Sequence, residues 1–460
     1  MENRRLPPKP DPRPEKVSFR RYLRMFRRDI LSAQPEKLYG AWMAEFRTPF
    51  FRSYLVNQPD LVREVLCARP GDFPKSDRVS EGLRPLLGNS VFVTNGAEWE
   101  RQRRIIDPAF EGGRLREVFP AMLAAAESAV GRIGDKVDGG PVEIEAEMSH
   151  AAADVIFRAL FSLPIEHETA SQVFDAFRDY QRSQPLLNLA AFLPLPSWIP
   201  RPYRRRTRES AAKIRGLIGA MADARAADIQ AGRAPDDLAT KIMTTADPLT
   251  GKSFDPAEMV DQVAIFFLAG HETSASALAW ALWLLADNPE AQARVAAEAD
   301  GVFGGRQPVF GDISRLAFTR DVFREALRLY PPVPMMVRES RRSERFRDRD
   351  VPRGSQIVLS PWHLHRHSRL WECPDAFDPS RWHSTNGKTC QREAFIPFSA
   401  GTRVCTGAGF AMIEGVLLLA MIVRAYRLET LADRRPVPVA HLTVRARDGI
   451  WLAVRKRKML

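Results

Sequence analysis

Phe398-Ser399-Ala400-Gly401-Thr402-Arg403-Val404-Cys405-Thr406-Gly407 sets a single cysteine between two glycines, just ahead of a helix-like apolar run from Ala408 to Arg424. Glycine lets the backbone come close to a flat ligand, and the amides and dipole at a helix entrance favour a thiolate. An iron-binding sulfur needs those surroundings. A solitary cysteine in an apolar context is more often a small buried hydrophobe, so this stretch alone leaves both readings open and the rest of the chain must decide between them.

The chain has 460 residues, 45% of them hydrophobic and 9% aromatic, enough to bury a large core. Lys and Arg outnumber Asp and Glu by 68 to 56, a net charge of +12. The excess is mostly scattered arginine with short clusters such as Arg204, Arg205 and Arg206. No basic stripe interleaved with aromatics appears, which argues against a nucleic-acid partner. Cys67, Cys373, Cys390 and Cys405 are too few for a disulfide framework and contain no CxxC pair, a usage that suits a reducing cytoplasm. The opening from Met1 to Pro14 is polar and Pro-rich, without the apolar core of a secretory signal or membrane anchor. Residues 1–17 are therefore expected to be an extended, mobile tail and residues 18–460 a single domain.

Helical patterning dominates the remainder. Residues 98–104, 122–130 and 208–230 combine helix-forming composition with apolar residues recurring at three and four. Short strand signals lie at 51–56, 356–360 and 450–454. The longest apolar stretch, Val263 to Ala286, has the length of a membrane span, yet it carries His271, Glu272, Thr273, Ser274 and Ser276 at its middle. A carboxylate at bilayer depth is costly, so the stretch reads as a buried core helix without transmembrane character, bracketed by Pro256 and Pro289. The Pro-rich segment 186–203, with Phe192 and Trp198, reads as an irregular surface loop.

Three further motifs accompany the cysteine stretch. Ala269-Gly270-His271-Glu272-Thr273 lies within the long apolar helix, where a small pair can open a groove and Thr and Glu can handle protons. His271-Glu272 also resembles the start of an HExxH zinc helix, but Ala275 stands where the second histidine belongs. Glu325-Ala326-Leu327-Arg328 places a carboxylate and a guanidinium on one helical face, and Phe377-Asp378-Pro379-Ser380-Arg381-Trp382 follows it. In Trp99-Glu100-Arg101-Gln102-Arg103, one turn separates an indole donor from a guanidinium, so both face the same way.

Phe398 to Gly407 fits FxxGxRxCxG at every fixed position, and with WxxxR, AGxET and ExxR preceding it in that order the chain resembles the cytochrome P450 superfamily from about Trp99 to Gly407. The resemblance implies a mainly α fold with small β-sheets: a triangular prism in which haem lies between the long central helix and the C-terminal cysteine-bearing helix. It implies haem b (iron protoporphyrin IX) with Cys405 as the axial iron ligand, Phe398 shielding the sulfur and Gly407 beside the cofactor. Trp99, Arg103, Arg338 and Arg403 would neutralise the propionates. Ala269 and Gly270 would form the oxygen groove, and Thr273 and Glu272 would deliver protons. Glu325, Arg328 and Arg381 would form a buried structural network. Glu272 replaces the commoner Asp, and Ser380 stands where Glu is frequent.

The implied activity is insertion of one oxygen atom from O2 into a lipophilic small molecule such as a terpenoid, steroid, fatty acid or aromatic compound. No reductase is fused to the chain, so electrons from NAD(P)H are expected to arrive through a separate ferredoxin and ferredoxin reductase, with Arg101 and Arg104 as docking candidates. By analogy the pocket takes in the 78–93 loop, the 192–198 loop, Phe266, Val337 and the turn at 448–450 with Ile450. Two other classes compete: a zinc module built from His363, His365, His367, Cys373, His383 and Cys390, and a peroxide-driven or non-catalytic haem protein.

Overall fold

A computed structural model describes residues 6–47, 52–183, 205–440 and 442–457. Its axis is a 31-residue helix, Pro256–Ala286. Asp255 caps it by accepting from the Glu258 amide, Glu258 returns a bond to the Asp255 amide, and Pro256 takes the first position, where its missing N–H costs nothing. Asp287 and Asn288 end it, and the next helix starts at Pro289. The apolar run extends around most of its circumference because helices cover it on several sides: Ile144–Phe161, Arg205–Gln230, Ala317–Leu329 and Ala408–Ala425. A helix enclosed in this way needs no polar face, which explains how a stretch of membrane-like length belongs to a protein core.

The other helical expectations are met with wider bounds. Residues 98–104 lie in Gly96–Ile106, 122–130 in Gly112–Gly134, and 208–230 in Arg205–Gln230. The helix Ala408–Ala425 is long and apolar enough to cross a membrane by length and composition. Here its residues Val416 to Ala420 and Ile422 to Val423 are buried against the protein core.

Strands occupy the margins. Met43–Arg47 pairs antiparallel with Arg52–Val56, which runs parallel to Gln356–Leu359, and that strand pairs antiparallel with Met336–Glu339. A second sheet joins Val142–Glu143, Trp451–Lys456 and Tyr426–Thr430, and a hairpin joins Pro438–Ala440 to Val444–Ala446.

The N-terminal expectation is corrected. Pro7, Pro8 and Pro10 are buried, the Tyr330 hydroxyl donates to the Pro8 carbonyl at 2.8 Å, and Lys9 reaches Glu36 at 3.1 Å and Asp375 at 3.2 Å. Arg13 bridges to Pro35 and donates to the Ala33 carbonyl at 2.8 Å. Prolines that stiffen the segment also lower the entropy lost when it docks, and they leave carbonyls free to accept. The same feature read as mobility therefore supports attachment.

Glu325 and Arg328 are wholly buried and pair through two bonds of 2.8 and 2.9 Å. Arg381 joins Glu325 at 3.1 Å. The remaining guanidinium donors reach carbonyls of His365, Pro374 and Ala376 from Arg328, and of Glu372 and Cys373 from Arg381. Glu325 and Arg328, on one turn of the Ala317–Leu329 helix, and Arg381, 56 positions from Glu325, thus tie that helix to the segment leading toward the cysteine loop.

Candidate active site

The cysteine loop is shaped by its backbone. Ser399 and Gly401 have φ of 62° and 68°, and a Cβ at Gly401 would run into the Leu66 carbonyl. Glycine is required there because the loop folds onto the 64–68 turn at backbone distance. The Cys405 amide donates to the Phe398 carbonyl at 2.9 Å, closing the loop, and the helix Ala408–Ala425 departs from Gly407. Cys405 is deep in the protein but open to a cavity. Burial pushes its thiol up, while the Gly407 amide and the Arg103 charge pull it down. A metal cation at the sulfur would decide that contest for the thiolate.

The cavity is about 2090 Å³, well above the ~300–1,000 Å³ of ordinary ligand pockets. Cys405, Phe398 and Gly407 line it from the loop, and Ala269, Gly270, Glu272 and Thr273 line it from the central helix. Phe266 and Val337 also face it. Gly270 has no room for a Cβ because Ile156 lies against it, so glycine here brings the central helix close to the Ile144–Phe161 helix. The Thr273 hydroxyl donates to the Ala269 carbonyl within the same turn. Glu272 accepts from the Thr443 hydroxyl at 3.1 Å and lies 3.5 Å from Arg445. His271 turns away from this cavity: its Nε2 meets the Ser149 hydroxyl at 2.7 Å, and burial holds its pKa down to about 3, so the ring is neutral.

Positive charge gathers at one wall, where Arg103 pairs with Asp107 at 2.8 Å but Arg338, Arg403 and Lys75 have no ion pair among the described residues. Arg103 and Arg403 lie 5.8 and 5.4 Å from the Trp99 ring, and Lys75 lies 5.6 Å from it. Arg338, buried, has its Nε without a hydrogen-bond partner, and so does Arg403. Burial, then Arg403, Arg338 and Arg103, hold the Lys75 ammonium down to about 6. Burial, then Arg403, hold Arg338 down to about 10. Three clustered guanidinium groups, two of them with an orphaned buried donor, and a lysine poised to take up a proton when an anion arrives form a receptor for anionic groups. They fit the two carboxylates of haem, and the facing sulfur fits its iron.

Lys75 was not among the residues singled out from the sequence. Its segment carries no motif, and only the fold brings it to Trp99, with its ammonium donating to the Val91 and Thr94 carbonyls at 2.6 and 3.0 Å. Thr443 and Arg445 were missed for a similar reason: they lie about 170 residues from Glu272 on a short hairpin. Glu414 is a further unforeseen group, buried, bonded by the Ser274 hydroxyl at 2.6 Å and pushed up to about 8 by burial.

Three expectations need correction or limits. Ile450 does not line the cavity; it is fully buried in the core. The turn at Gly449, with φ of 76°, delivers it beneath the second sheet, where its carbonyl accepts from the Ile144 amide at 2.7 Å. Val439, Leu442, Thr443 and Arg445 supply the wall instead. Arg101 and Arg104 are already neutralised within the chain: Arg101 by Glu258 at 2.6 Å and Arg104 by Asp247 at 2.6 Å. They clamp the 247–258 segment to the Trp99 helix and are not spare docking charges. The 192–198 loop lies outside the described residues, whereas Val79, Leu83 and Phe92 from the 78–93 stretch do face the cavity.

The histidines of the zinc alternative are separately engaged. His363 Nδ1 meets the Ser360 hydroxyl at 2.8 Å, His365 Nε2 accepts from the Ile396 amide at 2.9 Å, and His367 stacks on Trp42 at 4.3 Å. Among the described residues no group of three His, Cys, Asp or Glu side chains is placed to hold a metal ion.

Comparison with known proteins agrees with this architecture. Residues 30–452 match the family described as Cytochrome P450. The chain is 35% identical over 401 residues to cyclooctat-9-en-7-ol 5-monooxygenase of Streptomyces melanosporofaciens, covering 86% of this chain and 83% of that protein. It is 34% identical over 398 residues to cyclooctatin synthase of the same organism, covering 85% and 84%. Pentalenene oxygenase of Streptomyces avermitilis is 31% identical over 395 residues, covering 84% and 85%. Among solved structures, the crystal structure of the cytochrome P450DA heme domain superposes with a TM-score of 0.81 at 25% identity, covering 98% of both chains.

Proposed function

The chain belongs to the cytochrome P450 family and is a monooxygenase, and on that premise we propose that it hydroxylates a terpenoid with electrons passed from NAD(P)H through a separate ferredoxin and reductase in the cytoplasm. The observation that carries this reading is a single apolar cavity onto which Cys405, an unbalanced cation cluster, and the Thr273–Glu272 pair all open. Three relatives whose names refer to cyclooctatin, cyclooctat-9-en-7-ol or pentalenene support the terpenoid class.

When bound, haem supplies O2 binding and activation and the attack on carbon. The chain supplies the rest. Cys405 would hold the iron through its thiolate. Trp99, Arg103, Arg338 and Arg403, joined by Lys75, would hold the propionates. Charge neutralisation here answers the repulsion among those cations, so cofactor binding and local stability are linked. Phe398 keeps water from the sulfur. Phe266 and Val337 present apolar surface that orients a lipophilic substrate without polar selection.

Glu272 would carry protons inward. Its carboxylate is held between Thr443 and the half-exposed Arg445, so a turn of the side chain takes it from the solvent-side cation toward Thr273. The Thr273 hydroxyl, bonded to Ala269 at rest, is next in line and can give its hydrogen bond to an oxygen placed in the groove beside Gly270.

The test uses haem-loaded protein and a panel of cyclic terpenoids, steroids and fatty acids. Terpenoids are expected to shift the ferric haem spectrum from low to high spin and to be hydroxylated with NADH, ferredoxin and reductase. A shift with steroids or fatty acids alone would overturn the substrate class. Turnover with peroxide but not with NADH, ferredoxin and reductase would overturn the electron route.

A further inference from the structure

Residues 88–95 join the helix Asp77–Leu87 to the helix Gly96–Ile106 and contain no regular element of their own. Val91 and Phe92 from this stretch line the cavity that holds Cys405, so the order of these residues sets part of its wall. The first half of the stretch is secured by neighbouring helices. The Asn89 amide donates to Asp261 at 2.7 Å, the Val91 amide to Gln262 at 2.9 Å, and the Gln102 side chain donates to the Asn89 carbonyl at 2.6 Å. Farther along, the Val91 and Thr94 carbonyls accept from Lys75 Nζ at 2.6 and 3.0 Å.

Lys75 is fixed at its backbone. Its amide donates to Asn95 Oδ1 at 2.9 Å, Asn95 Nδ2 donates back to its carbonyl at 3.2 Å, and the residue bridges antiparallel to Arg338. Its tip therefore stands between the carbonyls of the wall and the cations around Trp99. The arginines of that cluster are turned elsewhere: Arg403 donates to the Phe73 carbonyl at 2.8 Å, Arg338 to the Val337 carbonyl at 3.2 Å and Arg103 to the Val404 carbonyl at 2.7 Å. Among the described residues, Lys75 is the member of the cluster that reaches the 88–95 wall.

An ammonium has three hydrogens to donate and a neutral amine two. Burial, then the three arginines, hold the Lys75 ammonium down to about 6, so near neutral pH its amine has two hydrogens for two carbonyls and none to spare. An anion arriving at the cluster reverses that balance. The ammonium then has a third hydrogen for the anion, and it holds both carbonyls through charge-assisted bonds, roughly twice as strong as neutral ones.

We propose that Lys75 is a positioning residue that clasps residues 91–94 to the carboxylates of the bound cofactor, so that the cavity wall at Val91 and Phe92 tightens when the cofactor is in place. This rests on the cation cluster holding the haem propionates and is independent of the substrate class. Cofactor charge and the order of the substrate-side wall are thereby coupled through one side chain.

The experiment is hydrogen–deuterium exchange of residues 88–95 in four full-length holoproteins: the parent and Lys75→Met, each loaded with haem or with haem dimethyl ester, whose carboxylates are capped and uncharged. The parent is expected to exchange about five-fold faster with the ester than with haem. Lys75→Met should exchange at least as fast as the ester-loaded parent with either cofactor, and the central helix Pro256–Ala286 should be unaffected throughout. Equal acceleration by the ester in parent and variant overturns the proposal, since other cations would then transmit the effect. So does a variant that protects 88–95 as well as the parent does. Should Lys75→Met fail to fold, the parent with its two cofactors still decides, because exchange that ignores the ester makes Lys75 a fixed clamp and overturns the coupling. Transfer of each cofactor to apomyoglobin separates the two levels of failure. If the ester leaves the parent no faster than haem, the cluster does not hold the carboxylates and the coupling falls with that reading; if it leaves faster while 88–95 stays protected, the coupling alone is wrong.

Discussion

Individual side chains in this site act through their surroundings more than through their identity. Lys75 is the clearest case. Its ammonium is held near 6 against an ordinary 10.5 by burial and three arginines. Between those two values the unfolded chain carries one more proton than the folded chain, so stability of the haem-free protein rises with pH across that window and is lowest below about pH 6. The slope is at most ~1.4 kcal/mol per pH unit. Denaturant titrations of the haem-free protein from pH 6 to 9 should show it, Lys75→Met should flatten it, and haem loading should abolish it by supplying carboxylates. Glu272→Gln keeps the bond from Thr443 but removes the proton carrier. Substrate turnover should fall about 100-fold, with more of the NADH consumed appearing as peroxide, while the thiolate spectrum of the carbon monoxide adduct stays intact. An unchanged ratio of product to NADH would remove Glu272 from proton delivery.

At the scale of elements, the cysteine loop and the central helix depend on glycine for opposite reasons. Gly401 provides a left-handed turn against backbone that cannot yield, and Gly270 provides contact between two helices. Gly401→Ala combines an unfavourable φ with a clash at the Leu66 carbonyl and should cost about 1–3 kcal/mol. It should also weaken haem retention, read as faster transfer of haem to apomyoglobin. Both glycines were visible as motif positions in the sequence, Gly401 read as close approach to a flat ligand and Gly270 as room for a groove, but neither structural need was written there: at Gly401 it comes from the Leu66 carbonyl. The need at Gly270 comes from Ile156 on another helix. The long helix was legible because its apolar run and the bracketing Pro256 and Pro289 mark it within the sequence itself. The docked Pro7 to Pro14 segment was not legible, because its partners Tyr330, Glu36 and Asp375 lie elsewhere in the chain.

In the molecule as a whole, Glu325, Arg328 and Arg381 join the helical body to the loops below the cavity. Removing one partner of a buried pair leaves a charge without compensation, at ~3–5 kcal/mol. Arg328→Lys keeps the charge but loses the forked geometry and most of the carbonyl bonds, and it should yield protein that expresses poorly and retains little haem, whereas Ser380→Glu should be tolerated on an exposed turn. Thermal unfolding monitored by haem absorbance would distinguish them. From sequence alone, the helical class and the long central helix could be read from local patterning, whereas Cys405 as the expected ligand, the oxygen-side motif and the Glu325, Arg328 and Arg381 network followed from short motifs that resemble the cytochrome P450 family. The tertiary structure alone decided that Lys75 joins the cation cluster, that Thr443 and Arg445 hold Glu272, that Ile450 belongs to the core and that Arg101 and Arg104 are spent on internal pairs. Those outcomes depend on which distant segments meet, and long-range contact is set by the packing of the entire chain rather than by any local pattern.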